Sequence, residues 1–445
     1  VQKYLDAGII SPSISEYSSP VFLVGKKNGE QRLVTDYRTL NLQTERENWP
    51  LPLIQDILDS LKGAKYFTIL DMKSGYHQIK LEENSKKYTA FITKKGLYQF
   101  NCVPFGLHEI PHTYSRFMHQ TFKHLLYKNL LIYMDDLILY SDKLSTHCQV
   151  LQEVFQTCRE THLKLNLKKC EFLRTEVLFL GHLISEKGIQ PNPEKVEIIK
   201  NHPVPKTKKR LQSFLGIVNY YHRFCDQLAK VAHPLYRLTK KNVRFIWTEE
   251  CDKAFRDVIE CLVSKPILSF PDYDKTFYLH TDASESSLGY VLTQYNDEAE
   301  TAVAFGGRTL NIHEKNYPTH QKEMLGIISA IKHVHHYLDG RHFKVLSDSA
   351  SVAWLIRQKQ PVGRIARWLE ILMVYDFKIT FRPGLLNGNA DAISRIPGVS
   401  MATTTETEQM AHLQKEDRSL DDIRRHVAKE DSDNYVEDRH GILWK

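Results

Sequence analysis

Between residues 131 and 142 the chain reads LIYMDDLILYSD, and the adjacent aspartates inside this apolar run constrain the fold more than any other feature. Leu131, Ile132 and Tyr133 lead in and Leu137, Ile138, Leu139 and Tyr140 lead out, so both flanks have the bulky composition of buried β-strands. Two charges between such flanks predict a hairpin with Asp135 and Asp136 at its turn. A plain two-residue turn favours Gly or Asn, and neither is present. The other reading is that the turn presents paired carboxylates at the rim of a sheet, where they can bind metal ions.

Composition sets the context for that second reading. At 445 residues the chain is long enough for roughly two to four domains with sizeable cores. Sixty Lys and Arg stand against 53 Asp and Glu, a formal charge of +7. The last 45 residues hold 11 acidic and 7 basic side chains, so positive charge concentrates in the body and predicts a polyanionic partner. The seven cysteines form no C-x-x-C pair, which argues against a disulfide framework and a zinc site and fits a reducing compartment. No apolar run approaches the roughly 18 residues of a membrane helix, and no signal peptide opens the chain. The expectation is a soluble protein with no membrane partner. Its abrupt start within VQKYLDAGII suggests a piece of something longer.

Along the chain, the spacing of Tyr114, Phe117, Met118, Phe122, Leu125 and Leu126 predicts a helix just before the hairpin. A second helix is predicted after PVPKTKK, with Leu211, Phe214, Leu215 and Val218 on its apolar face. Its first turn holds Lys208, Lys209 and Arg210, cations that oppose the helix dipole. A phosphate-contacting role therefore explains that cluster better than a structural one. The chain divides into a mixed strand and helix block over 1–187, a basic helical stretch over 188–265, a second mixed block over 266–397 and a polar tail over 398–445.

A metal pair for phosphoryl chemistry needs carboxylates from more than one strand. The segment AKYFTILDMKSGYHQIKL supplies Asp71 at the end of a strand-like run that starts at Tyr66. Taken together, RLVTDYRTLN, FTILDMKSGYHQIKL, TAFITKKGLYQF, VPFGL and IYMDDLILYSD occur in the order and at the spacing of a reverse transcriptase, and the chain resembles those of gypsy-type long-terminal-repeat retrotransposons. FLGHLISEKGIQPNPEKVEIIKNHPVP and LQSFLGIVNYYHRF are similar to that family's thumb and connecting segment. The resemblance runs from Leu5 to Pro397. It implies a multidomain α+β and α/β architecture, a right-hand polymerase of fingers, palm and thumb followed by a ribonuclease H-like domain.

Residue by residue, the resemblance implies that Asp71, Asp135 and Asp136 hold two Mg²⁺ ions, with Mn²⁺ as an alternative. Such ions activate a primer 3′-hydroxyl and stabilise the leaving pyrophosphate. It further implies that Arg32 and Lys26 or Lys27 contact the nucleotide triphosphate and that Tyr76 excludes a ribose 2′-hydroxyl. Phe105 and Met134 match positions lining the nucleotide pocket and the primer end. Read without the family, Tyr76 is core and the basic loop GKKNGEQR makes no specific contact.

The second mixed block raises its own carboxylate question. KTFYLHTDASESSLGYVLTQ puts Asp282 just after a strand, and FKVLSDSASVAWLI puts Asp348 where a strand gives way to a helix. Within THQKEMLGIISAIKHVHHYL, Glu323 lies one turn before Ile327 on an apolar stripe of Met324, Ile327, Ile328, Ile331, Val334 and Leu338. A carboxylate on a buried stripe is costly unless paired or coordinated. GLLNGNADAISRIP then supplies Asp391. This order resembles a ribonuclease H domain, which implies that Asp282, Glu323, Asp348 and Asp391 hold two Mg²⁺ ions for hydrolysis of an RNA strand. The implied partners are an RNA template, a DNA primer, an RNA–DNA hybrid and dNTPs.

The chain also departs from the family. After VPFGL the usual pattern is x-N-A-P-x-T-F, whereas HEIPHTY places Glu109 at the Asn position and Ile110 and His112 where small residues are expected. The Glu109 charge is expected to repel an incoming triphosphate unless His108, His112 or Arg116 neutralises it. Tyr290 stands where a small residue is common. There is no D-[ST]-G protease motif and no His/Cys integrase segment, while the ending DRHGILWK resembles the lead-in to an integrase. The implied setting is a polyprotein with protease and integrase, cytoplasmic, within retroelement particles, with a nuclear stage. Two rival readings are a catalytically silent nucleic-acid-binding relic and an assembly subunit. The presence of all seven carboxylates favours the enzyme.

Overall fold

The apolar runs flanking the two aspartates form strands. A computed structural model describes residues 1–25, 31–45, 48–264, 267–296, 299–347 and 361–381, with the backbone of 436–437 and 443–444. In it Leu130–Tyr133 pairs with Asp136–Ser141 at one side of a four-stranded sheet, followed by Tyr66–Asp71 and Glu171–Arg174. Side chains alternate across this sheet. Leu70, Leu137 and Leu139 join a core with Tyr114, Met118 and Val154, whereas Phe67, Leu131 and Ile138 join one with Ile57, Phe214 and Phe224. Both faces are covered, which is why the flanks read as unbroken apolar runs.

The helix before the hairpin spans Ile110–Thr121 rather than running to Leu126. Pro111 fits its first turn, and Phe122 and Leu125 remain buried in the turn that follows. The basic helix spans Lys208–Tyr220 and buries Leu211, Phe214, Leu215 and Val218 as predicted. Thr207 caps it by accepting the Arg210 amide, which satisfies one orphan donor in the turn where cations oppose the dipole. The Lys208 ammonium donates to the Lys240 carbonyl. Lys209 and Arg210 stay exposed.

The second mixed block folds around a five-stranded sheet in the order Ala299–Thr309, Ser287–Asn296, Phe277–Ala283, Phe343–Ser347, Phe377–Phe381. Its first three strands are antiparallel neighbours, and the last two run parallel to Phe277–Ala283. Helix Thr319–His333 covers one face, where Met324, Ile327 and Ile331 share a core with Phe277, Leu279, Leu292 and Val345. A polymerase-like α+β body followed by an α/β sheet is the expected class.

One cysteine expectation needs correction. Cys225 and Cys261 are joined by a disulfide, while Cys102, Cys148, Cys158, Cys170 and Cys251 are free. Tertiary packing brings the end of the Lys208 helix region against helix Glu249–Val263, so no short-range spacing announces the pair. Among the described residues no helix is long and apolar enough to cross a membrane.

Candidate active sites

The polymerase-like site is built by strand register. Asp71 at the end of Tyr66–Asp71 pairs directly with Asp136 at the start of Asp136–Ser141. Because Tyr133 pairs with Asp136, the two-residue turn consists of Met134 and Asp135, one position earlier than the sequence predicts. Met134 adopts φ 52°, a conformation hairpins usually give to Gly and one that concentrates at functional sites. Asp135 and Met134 are half-buried and Asp136 is exposed.

The electrostatics follow from that register. Asp71 accepts from Asn166 Nδ2 at 3.2 Å and from Lys169 Nζ at 3.1 Å. Desolvation against the surrounding protein and then the charge of Asp71 push the Asp136 carboxyl above the ordinary range, with Lys169 opposing. Among the described residues no three His, Cys, Asp or Glu side chains are already gathered around a metal position. The donors still suit a hard divalent cation. They are carboxylate oxygens, their mutual repulsion is what a cation relieves, and Lys169 already sets a positive charge on Asp71.

Behind the turn lies an aromatic wall. Tyr76 has its ring centroid 5.1 Å from Phe105 and 5.1 Å from Tyr114, so the structure brings together three of the positions named from sequence or beside it. Gly75 is pressed into this wall. A Cβ there would stand 2.6 Å from the Tyr114 hydroxyl and 2.9 Å from Asp135 Oδ1. The sequence does not single out Gly75, Asn166 or Lys169, and it marks Tyr114 only as helix core. Gly75 alone carried a signal, as a glycine between Asp71 and Tyr76 in DMKSGYHQ. Lys26 and Lys27 lie outside the described residues, and Arg32 sits on strand Gln31–Thr35 opposite Val24.

The Glu109 departure has local partners. Glu109 Oε1 lies 2.5 Å from His108 Nδ1, and Glu109 occupies the N-cap of helix Ile110–Thr121, where a negative charge is favoured by the helix dipole. His112 instead bonds the Trp49 carbonyl at 2.8 Å. These contacts match the local-partner alternative, with His108 rather than His112 beside the Glu109 carboxylate.

In the second sheet, Asp282 is exposed near the end of the central strand Phe277–Ala283, and Glu323 is buried at 7% exposure on the helix that covers that sheet. Strand Phe343–Ser347 ends one residue before Asp348. Asp348 and Asp391 themselves lie outside the described residues. Tyr290 is accommodated rather than disruptive. It pairs with Gly306, where a Cβ would stand 2.2 Å from its hydroxyl, and that hydroxyl lies 2.8 Å from His333 Nδ1.

Two stretches of the chain match known protein families. Residues 24–184 match the family model described as reverse transcriptase (RNA-dependent DNA polymerase), and residues 247–345 match one described as an RNase H-like domain found in reverse transcriptase. The chain is 40% identical over 426 residues to a retrovirus-related Pol polyprotein from transposon 297 of Drosophila melanogaster, covering 94% of this chain and 40% of that protein. It is 34% identical over 441 residues to the transposon Tf2-3 polyprotein of Schizosaccharomyces pombe, covering 98% of this chain and 32% of that protein. It thus spans well under half the length of these relatives. Among solved structures, foamy viral protease-reverse transcriptase in complex with dsDNA superposes with a TM-score of 0.76 at 25% identity, covering 86% of this chain and 80% of that one.

Proposed function

Because the chain belongs to the reverse transcriptase family of retrotransposon Pol polyproteins, we propose that it is an RNA-directed DNA polymerase with ribonuclease H activity. The observation that carries the reading is the direct pairing of Asp71 with Asp136 and the adjoining turn that holds Asp135. Asp71, Asp135 and Asp136 would hold divalent metal, Mg²⁺ by the hardness of their oxygens. Bound metal supplies Lewis-acid activation of a hydroxyl and charge stabilisation of a leaving group.

The remaining roles belong to the chain's own side chains. Tyr76, in ring contact with Phe105 and Tyr114, is the side chain that excludes a ribose 2′-hydroxyl. Met134 lines the primer end, and Arg32 with Lys26 or Lys27 holds the triphosphate. Asp282, Glu323, Asp348 and Asp391 form the nuclease site. Fingers and palm occupy 1–187, thumb and connection 188–265, and the nuclease 266–397. The partners are an RNA template, a DNA primer, their hybrid and dNTPs, in a polyprotein that acts in the cytoplasm within particles.

Primer extension on an RNA template with dNTPs and Mg²⁺, run beside cleavage of a labelled RNA–DNA hybrid, tests this reading. Both activities are expected, and both should vanish with a chelator. A folded, hybrid-binding chain inactive in both assays would return the silent-relic reading. Within the same assay Glu109→Asn should leave the apparent KM for dNTP within about twofold of the parent, since a compensated charge contributes little at surface dielectric. A fall of roughly tenfold, or about 1.4 kcal/mol, would restore the repulsive reading.

A further inference from the structure

Outside either carboxylate set, four side chains from three parts of the chain meet in a buried polar cluster. Asp59 ends helix Ile54–Asp59, Arg223 lies on the short turn His222–Phe224, and Tyr337 belongs to helix His335–Leu338. They are 6%, 6% and 1% exposed. The Tyr337 hydroxyl donates to Asp59 Oδ2 at 2.6 Å, and Gln55 Nε2 reaches both Asp59 oxygens at 2.9 and 2.8 Å and the Tyr337 hydroxyl at 2.6 Å. Arg223 donates to Gln55 Oε1 and, at 3.3 Å, to the Val303 carbonyl on strand Ala299–Thr309. Its Nη2 lies 3.7 Å from Asp59 Oδ1.

Stability is a poor explanation for such a cluster. Burial drives the Asp59 carboxyl upward against the pull of Arg223, Tyr337 and Gln55, and among the described residues Arg223 Nε has no hydrogen-bond partner. Buried ion pairs of this kind return little net stability, and their best-attested use is to fix register. Beside it the Lys62–Asp272 ion pair, at 2.6 Å, is partly exposed and so fixes register only weakly. One apolar core runs from Ile57 and Phe67 through Phe214 and Phe224 to Val291, Ala302 and Phe305, and apolar burial is non-directional. The cluster supplies direction at that seam.

Its anchors lead toward both sites. Helix Ile54–Asp59 shares its core with Phe67, on the strand that ends in Asp71. Helix His335–Leu338 follows directly on Thr319–His333, which carries Glu323. We infer that Asp59, Gln55, Arg223 and Tyr337 form a positioning joint that holds the two carboxylate sites at one fixed offset, so that RNA cleavage is gauged from the primer 3′-end. The gauging rests on the activities proposed above, whereas the mechanical joint does not.

The test reads position and geometry separately. On a labelled RNA template carrying a recessed DNA primer, the parent should cut at one dominant distance from the primer end. Tyr337→Phe, which removes one donor, and Asp59→Asn should spread the cuts over several nucleotides. Single-nucleotide incorporation and cleavage of hybrid without a recessed primer should stay within about twofold. Spin labels on unnatural residues at the exposed Lys128 and Lys332 should give a narrow distance distribution in the parent that widens in both variants. Unchanged cut position together with unchanged label distance in folded Tyr337→Phe would overturn the joint, even should Asp59→Asn fail to fold. A parent silent in both assays whose label distance still widens on substitution would sink the assigned activities and leave the joint standing.

Discussion

Asp136→Asn is expected to lower primer extension by a factor on the order of a thousand or more, about 4 kcal/mol of transition-state stabilisation, while hybrid cleavage persists. Glu323→Gln should do the reverse. Each substitution keeps the shape of the side chain and one carbonyl acceptor but removes the negative charge that metal coordination needs. Misfolding does not account for the expected loss at Asp136. Desolvation and Asp71 raise its carboxyl in the folded protein. A group so raised folds more readily when protonated, and its ionisation counts against the folded state as pH rises through the unfolded and then the folded value. At neutral pH the Asn variant should therefore be at least as stable as the parent in urea. Loss of both activities from either variant at normal folded yield would show that one site, not two, carries them.

What could be read in the sequence was whatever is written locally. The hairpin was legible because unbroken apolar flanks mark strands covered on both faces, and Glu323 because its stripe has helical spacing. The turn was misplaced by one residue because Met134 takes the left-handed conformation that composition assigns to Gly or Asn. The helix before it spans Ile110–Thr121, and Phe122 and Leu125 are buried and Leu126 half-buried in a following turn with similar apolar spacing. The Cys225–Cys261 bond and the Asp59, Arg223 and Tyr337 cluster were illegible for one reason. Their partners are distant in sequence, with separations of 36 and 278 residues for Cys225–Cys261 and Asp59–Tyr337, and no periodicity links them. Glu109 was readable as a departure, but its sign depended on where the neighbouring His108 points.

Gly75→Ala is the other substitution with a large expected effect, and it acts through Asp135 rather than on it. The added methyl would stand 2.6 Å from the Tyr114 hydroxyl oxygen, 2.9 Å from its Cζ and 2.9 Å from Asp135 Oδ1, all well inside contact distance. Tyr114 is fully buried in one core with Leu70, Met118 and Phe122, so it cannot swing aside cheaply where packing is close. The half-buried side of the site yields first, which moves Asp135 or the turn that carries Tyr76. A displacement of about 1 Å at reacting groups costs on the order of a hundredfold, so primer extension should fall by that factor while hybrid cleavage holds. Overpacking should also lower stability by about 1–3 kcal/mol. Among the described residues the buried Tyr114 hydroxyl has no hydrogen-bond partner, so Tyr114→Phe alone should be neutral or stabilising by about 1 kcal/mol, and in the double variant it should recover part of the stability. Steady-state extension and urea midpoints of the two single variants and the double decide the matter: a Gly75→Ala chain that copies RNA within about twofold of the parent would mean that Asp135 is placed by the strained Met134 turn and not by its contact with Gly75.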